Sequence, residues 1–161
     1  MKTFTDAAGR TWTISLTLGT AMRVKDAIGV DLLQPEAGDP PLLTRLGTDE
    51  MLLGEVICAL LAGQFETHGV TEQQVRDAFD GNTLLAAQKA FYEELVDFFR
   101  GRGRADRAKA VAAQARVIDA AVKAVEAKLD ALDIDKAIAA AMTRGEMSGS
   151  SSEPSASIPG P

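Results

Sequence analysis

The sequence predicts a mainly α fold that opens with a small N-terminal β-hairpin. A small helical domain follows, then a long Ala-rich helix and a disordered C-terminal tail. Three observations predict it. Thr11-Trp12-Thr13-Ile14-Ser15-Leu16 alternates strictly, which is strand periodicity, and puts Trp12, Ile14 and Leu16 on one face. From Thr17 to about Arg100, apolar residues recur at helical spacing between readable caps. Beyond Arg104, Val111, Ala115, Ile118, Val122, Val125 and Leu129 step by 4, 3, 4, 3 and 4, a narrow seam in a stretch with 15 Ala over residues 105–141.

Taken in order, Lys2-Thr3-Phe4-Thr5 supplies the first strand and Asp6-Ala7-Ala8-Gly9-Arg10 the turn. An isolated hairpin is marginal in water, so its Trp12/Ile14/Leu16 face must pack on the helices that follow. Thr17 caps a helix carrying Leu18, Met22, Val24 and Ile28, and Gly29 ends it. The segment Gln34-Pro35-Glu36-Ala37-Gly38-Asp39-Pro40-Pro41 is a loop, because its prolines forbid regular helix. Leu42 to Leu46 forms a short helical turn closed by Gly47. Thr48-Asp49-Glu50 opens a long apolar helix through about Thr67, with both acids in the favoured first turn. Thr71-Glu72-Gln73-Gln74 fits the capping-box pattern and starts a helix to about Phe79. Asp80-Gly81-Asn82 breaks the chain, and Asn82 is the expected cap of a helix over 83–100. That helix holds Leu84, Phe91, Leu95, Phe98 and Phe99 and should be central to the core.

Gly101-Arg102-Gly103 separates this domain, residues 1–100, from the Ala-rich basic segment 101–144. The latter ends in a short helix over roughly 133–143, with Ile134, Ile138 and Met142 on one stripe. Residues 145–161 are rich in Ser, Gly and Pro, lack periodicity and are expected to be disordered. Charge follows the same division. Residues 1–99 carry 7 Lys/Arg against 15 Asp/Glu, whereas 100–144 carry 10 against 6, within a chain of net charge −6. The two regions can attract each other within one molecule or face different partners.

Composition narrows the function classes. In 161 residues there is one Cys, so an intramolecular disulfide and a multi-Cys zinc site are excluded, and a reducing compartment fits. No apolar run reaches the length of a membrane span, and Met1-Lys2-Thr3-Phe4-Thr5-Asp6 has no signal-peptide core.

Residue by residue, catalysis finds little support. The one His, His68, precedes Gly69 at an expected helix end, where a cation complements the dipole. Cys58, between Ile57 and Ala59, reads as a small buried hydrophobe. Glu93, Glu94 and Asp97 could approach a metal, but no His or second acidic motif joins them; they read as a solvated face opposite the Phe seam. Gly101-Arg102-Gly103-Arg104 lacks the Gly-Lys-Ser/Thr ending of a phosphate loop. No cofactor motif is present. Arg100, Arg102, Arg104, Arg107 and Lys109 form the candidate charged contact. The acidic chain and the missing interleaved aromatics favour an acidic protein surface over nucleic acid there.

Several segments together resemble a known family. Phe4-Thr5-Asp6 through Gly9-Arg10-Thr11-Trp12, then Ile14, Leu16, Val24-Lys25 and Gly29-Val30-Asp31-Leu32-Leu33, resemble the opening of the tail-assembly chaperones of tailed bacteriophages and prophages. Glu93-Glu94-Leu95-Val96-Asp97-Phe98-Phe99 is similar to that family's central helix, and an Ala-rich helix and a Ser/Pro-rich end follow in the same order. The resemblance implies no chemical step. In phages with long non-contractile tails such proteins coat the helical tape-measure protein, keep it soluble, recruit tail-tube protein and leave as the tube polymerises. It implies a place in the host bacterial cytoplasm and absence from the mature virion. Many members are made as a short and a frameshifted longer form, and the resemblance leads to the expectation that this chain is the short form.

The candidate partner-binding seam is Val111, Ala115, Ile118, Val122, Val125 and Leu129, whose Ala-rich flanks permit close helix approach. Packing of the same seam on the 83–100 helix is the alternative, and the sequence leaves both open. Self-association is a further option, since many copies must line one client. Other classes compatible with the residues are a neck or head–tail completion protein of the virion and a small DNA-associated protein using Arg100–Lys109.

Overall fold

In a computed structural model of the chain, residues 1–132, 134–148 and 160 are described. The chain divides into two units, Met1–Asp119 and Ala120–Pro161.

The first unit begins with the expected hairpin, β1 (Lys2–Thr5) and β2 (Thr11–Ile14), antiparallel with Phe4 directly opposite Trp12. Alternation does what it must: Phe4, Trp12, Ile14 and Leu16 are buried. The turn is organised by one carboxylate. Asp6 Oδ1 accepts from the backbone N–H of Ala8 (3.0 Å) and Arg10 (2.9 Å). Its Oδ2 accepts from Arg10 Nε (2.9 Å) and the Trp12 indole N–H (2.8 Å).

Thr17 caps α1 (Leu18–Ile28) through a reciprocal box with Thr20, and Gly29 follows in the left-handed region at φ 72°. After the loop come α2 (Leu42–Thr48) and α3 (Glu50–Leu61), the latter capped by the Asp49 side chain on Leu52 N–H. Gly47 lies within α2 rather than closing it.

The single long helix expected from Asp49 to Thr67 is interrupted. After Leu61 the chain tightens into a 3-10 turn, Ala62–Gln64, and restarts as α4 (Phe65–His68). The turn puts the Gln64 amide beside the hairpin. Gln64 Nε2 donates to Thr13 O (2.7 Å) and its Oε1 accepts from Thr13 N–H (3.1 Å), so a side chain completes the outer edge of β2.

Thr71 and Gln74 form the expected capping box of α5 (Glu72–Asp77). The next helix, α6 (Gly81–Gly101), is capped by Asp80, whose carboxylate accepts from Thr83 N–H (2.8 Å), and not by Asn82. An Asp three residues before that free N–H takes the cap, and Gly81 enters the first turn. β1 lies along α6, and β2 along α3. Ala87, Ala90, Phe91, Tyr92, Leu95 and Phe99 are buried, while Leu84 and Phe98 are half-buried.

α7 (Ala105–Ala131) spans the division between the two units. Ala108 and Val111 belong to the first unit's core, with Ala115 and Ile118 half-buried against it. Part of the segment that the sequence separates at residue 100 is therefore core, because Val111 and Ile118 supply bulk that the Ala around them cannot.

In the second unit α7 ends and α8 (Ile134–Ser148) follows, and every residue whose side chain is described is exposed. α8 runs past its expected end near 143. Glu146 and Met147 are good helix formers, and no proline lies between Pro41 and Pro154. Beyond Ser148, the expected disordered tail lies outside the described residues, Gly160 excepted.

Candidate functional site

The seam of α7 divides at the unit boundary. Val111 is 0% exposed, and Ala115 and Ile118 are half-buried. Gly47 of α2 lies against this part of the seam. A Cβ at that position would lie 2.3 Å from Gln114 Nε2 and 3.6 Å from Ile118 Cδ1. Val122, Val125 and Leu129 have no such cover, at 37%, 57% and 51% exposure. Leu132, three residues beyond Leu129, extends the repeat and is also exposed; its N–H still donates to Lys128 O (3.1 Å). The seam predicted from the sequence ends at Leu129, although the spacing of Leu132 continues it. Lys123, Glu126 and Lys128 accompany this stretch, together with Ala121, Ala124 and Ala127. Ile134, Ile138 and Met142 of α8 are exposed at steps of four residues.

The basic stretch is less uniform than its sequence. Arg100 pairs with Asp97 at 3.6 Å. Arg104 grips Asp106 through Nε (3.0 Å) and Nη2 (2.8 Å), which holds the Asp106 carboxyl well below its ordinary range. Arg107 has a structural task. It donates to Leu33 O (2.7 Å), pairs with Glu36 and lies over the Phe99 ring, 5.8 Å from its centroid. Burial would raise the Glu36 carboxyl, yet hydrogen bonds from its own backbone and from Arg107 hold it below the usual value. Arg102 and Lys109 are exposed. Between the loop after α1 and the α6–α7 turn opens a cleft of about 240 Å³, with Leu33, Phe98 and Phe99 against Arg102, Arg104 and Arg107.

The acidic group on α6 is only in part the solvated face expected of it: Glu93 and Asp97 are exposed, and Glu94 is not. Glu94 is only 6% exposed, since it faces the hairpin instead of solvent. Its Oε1 accepts from Leu16 N–H (2.9 Å), and Oε2 lies 2.7 Å from the Met1 amino group. Asp97 pairs with Lys2 at 3.2 Å, and this contact raises the Lys2 ammonium's affinity for its proton. Two of the three acids therefore hold the first strand, and Glu93 remains exposed. No local pattern announces such a role, because Leu16 is 78 residues from Glu94 in sequence.

His68 ends α4 before a left-handed Gly69, as expected, and its ring packs on Trp12 with centroids 4.4 Å apart. Cys58 is buried, and burial pushes its thiol up, away from the reactive thiolate. Among the described residues, no group of three His, Cys, Asp or Glu is gathered as a metal site, and no helix is long and apolar enough to cross a membrane. A scan against protein-family models finds no match to this chain, and neither does a search of curated proteins or of solved structures.

Proposed function

We propose that this chain is a tail-assembly chaperone that captures the helices of a tape-measure protein on the exposed stretch of α7 and α8, with no catalytic step. One observation carries the reading: Val122, Val125, Leu129 and Leu132 continue a seam at coiled-coil spacing yet stand exposed. An apolar stripe of this kind is the half of an interface that an amphipathic partner helix completes. The resemblance carried by the hairpin and the Glu93–Phe99 helix supplies the class of client.

The energetics suit a coat that must later be shed. Full burial of a Val or Leu side chain contributes about 1.5–3 kcal/mol. Association itself costs on the order of 4–15 kcal/mol, so four such residues give weak binding for one copy. Many copies along one client add avidity without tightening any single contact. Recruitment of tail-tube protein then falls to other surfaces.

Co-expression with the tape-measure protein encoded in the same genome tests the reading. The soluble fraction of that client is expected to rise in the presence of this chain. An equally insoluble client with and without it refutes the proposal. Mass spectrometry of purified particles adds a second check: a chaperone is absent, whereas a neck or completion protein is present at fixed copy number.

A further inference from the structure

We infer that the cleft beside the α6–α7 turn is a second docking site, which takes a peptide segment of a partner protein bearing one apolar side chain next to one acidic residue. The occupant follows from size, lining and charge. At about 240 Å³ the cleft is smaller than the 300–1,000 Å³ typical of small-molecule sites, and suits a single side chain. Leu33, Phe98 and Phe99 give it an apolar lining. Phe98 is only half-buried, so the chain's own packing leaves part of that lining uncovered.

Around this lining stand three guanidiniums and two carboxylates. Glu36 answers Arg107, and Asp106 answers Arg104 through a two-pronged contact. Among the described residues, Arg102 is exposed and is the one charge of this lining without a carboxylate partner. One spare positive charge suits one carboxylate. It does not suit a polyphosphate backbone, which needs several cations and would meet Glu36 and Asp106 as like charges. Arg107 is itself committed, with its two terminal nitrogens bound to Leu33 O and Glu36 and its Nε–H buried out of reach, so the partner's carboxylate falls to Arg102. The Arg104–Asp106 fork shows the carboxylate geometry that this turn already favours. The lining shares no residue with Val122–Leu132, and binding here does not depend on the capture of a helical client.

Fluorescence polarisation with labelled Gly/Ser peptides carrying a central Glu-Phe, Gln-Phe, Glu-Ala or Lys-Phe pair provides the test, with an oligothymidylate as a fifth probe. The Glu-Phe peptide is expected to bind saturably. Replacing Glu by Gln, Phe by Ala, or Arg102 by Glu in the protein (Arg102→Glu) should each weaken it about tenfold. Arg102 is exposed, so this variant should keep the wild-type melting temperature. Phe98→Ala serves as the second variant and should lose the preference for Phe over Ala. Absence of saturable Glu-Phe binding, equal binding of the Gln-Phe peptide, indifference to Arg102→Glu, or tighter binding of the oligonucleotide each overturns the inference.

Discussion

At the scale of single residues, two buried polar groups make opposite contributions. Burial alone would raise the Asp6 carboxyl. The hydrogen bonds from Trp12 and Arg10 outweigh it and hold the group below its ordinary value of 3.8. A depressed folded value means that Asp6 stabilises the fold fully above about pH 4, and that this contribution is lost as pH falls through the folded value. Asp6→Ala strands the Trp12 indole N–H and the Arg10 guanidinium together, so a loss of about 3 kcal/mol at neutral pH is expected in urea unfolding. The gap from wild type should narrow on acidification. Tyr92 is the converse case. Its hydroxyl is buried without a partner, and burial pushes the phenol up to about 12. Tyr92→Phe removes an unmet group and keeps the ring against Phe91, so stability should rise by about 1 kcal/mol. A fall of that size would show that the hydroxyl has a partner.

At the scale of elements, α7 carries two environments on one seam. Val111→Ala opens a void in a core position and should cost about 2 kcal/mol, whereas Val125→Ala should change stability by less than about 0.5 kcal/mol. Equal costs would contradict the division of the seam. Gly47→Val drives a branched side chain into Gln114 and Ile118, at an expected cost of about 1–3 kcal/mol, and should speed amide exchange in residues 105–118 before other helices. Elements governed by local chemistry were legible in the sequence. Thr17 and Thr71 cap because of the N–H groups within three residues of them, and the Trp12/Ile14/Leu16 alternation is equally local; Asp49, expected in the first turn of α3, is its cap instead. Elements shaped by distant partners were not. The break at Ala62–Gln64 serves Thr13, 51 residues away, and the burial of Glu94 serves the hairpin. Periodicity likewise drew the seam of α7 without saying where its cover ends, because that depends on distant residues such as Gly47 of α2.

At the scale of the whole molecule, the chain joins a well-packed unit to helices whose described apolar side chains are exposed. The acidic front half and the basic start of α7 do meet within the first unit, through Glu36 and Arg107. The basic stretch is therefore partly spent on holding α7 in place, with Arg102 and Lys109 left exposed. Surface, rather than an enclosed pocket rich in reactive groups, is where the proposed activity resides. The most direct measurement places a photo-crosslinking amino acid at Val125, and separately at exposed Leu85 of α6, in the chain co-expressed with the tape-measure protein. The account predicts an adduct with the tape-measure protein from position 125 and none from position 85. No client adduct from 125, adducts of equal yield from both positions, or only an adduct between two copies of this chain would contradict it.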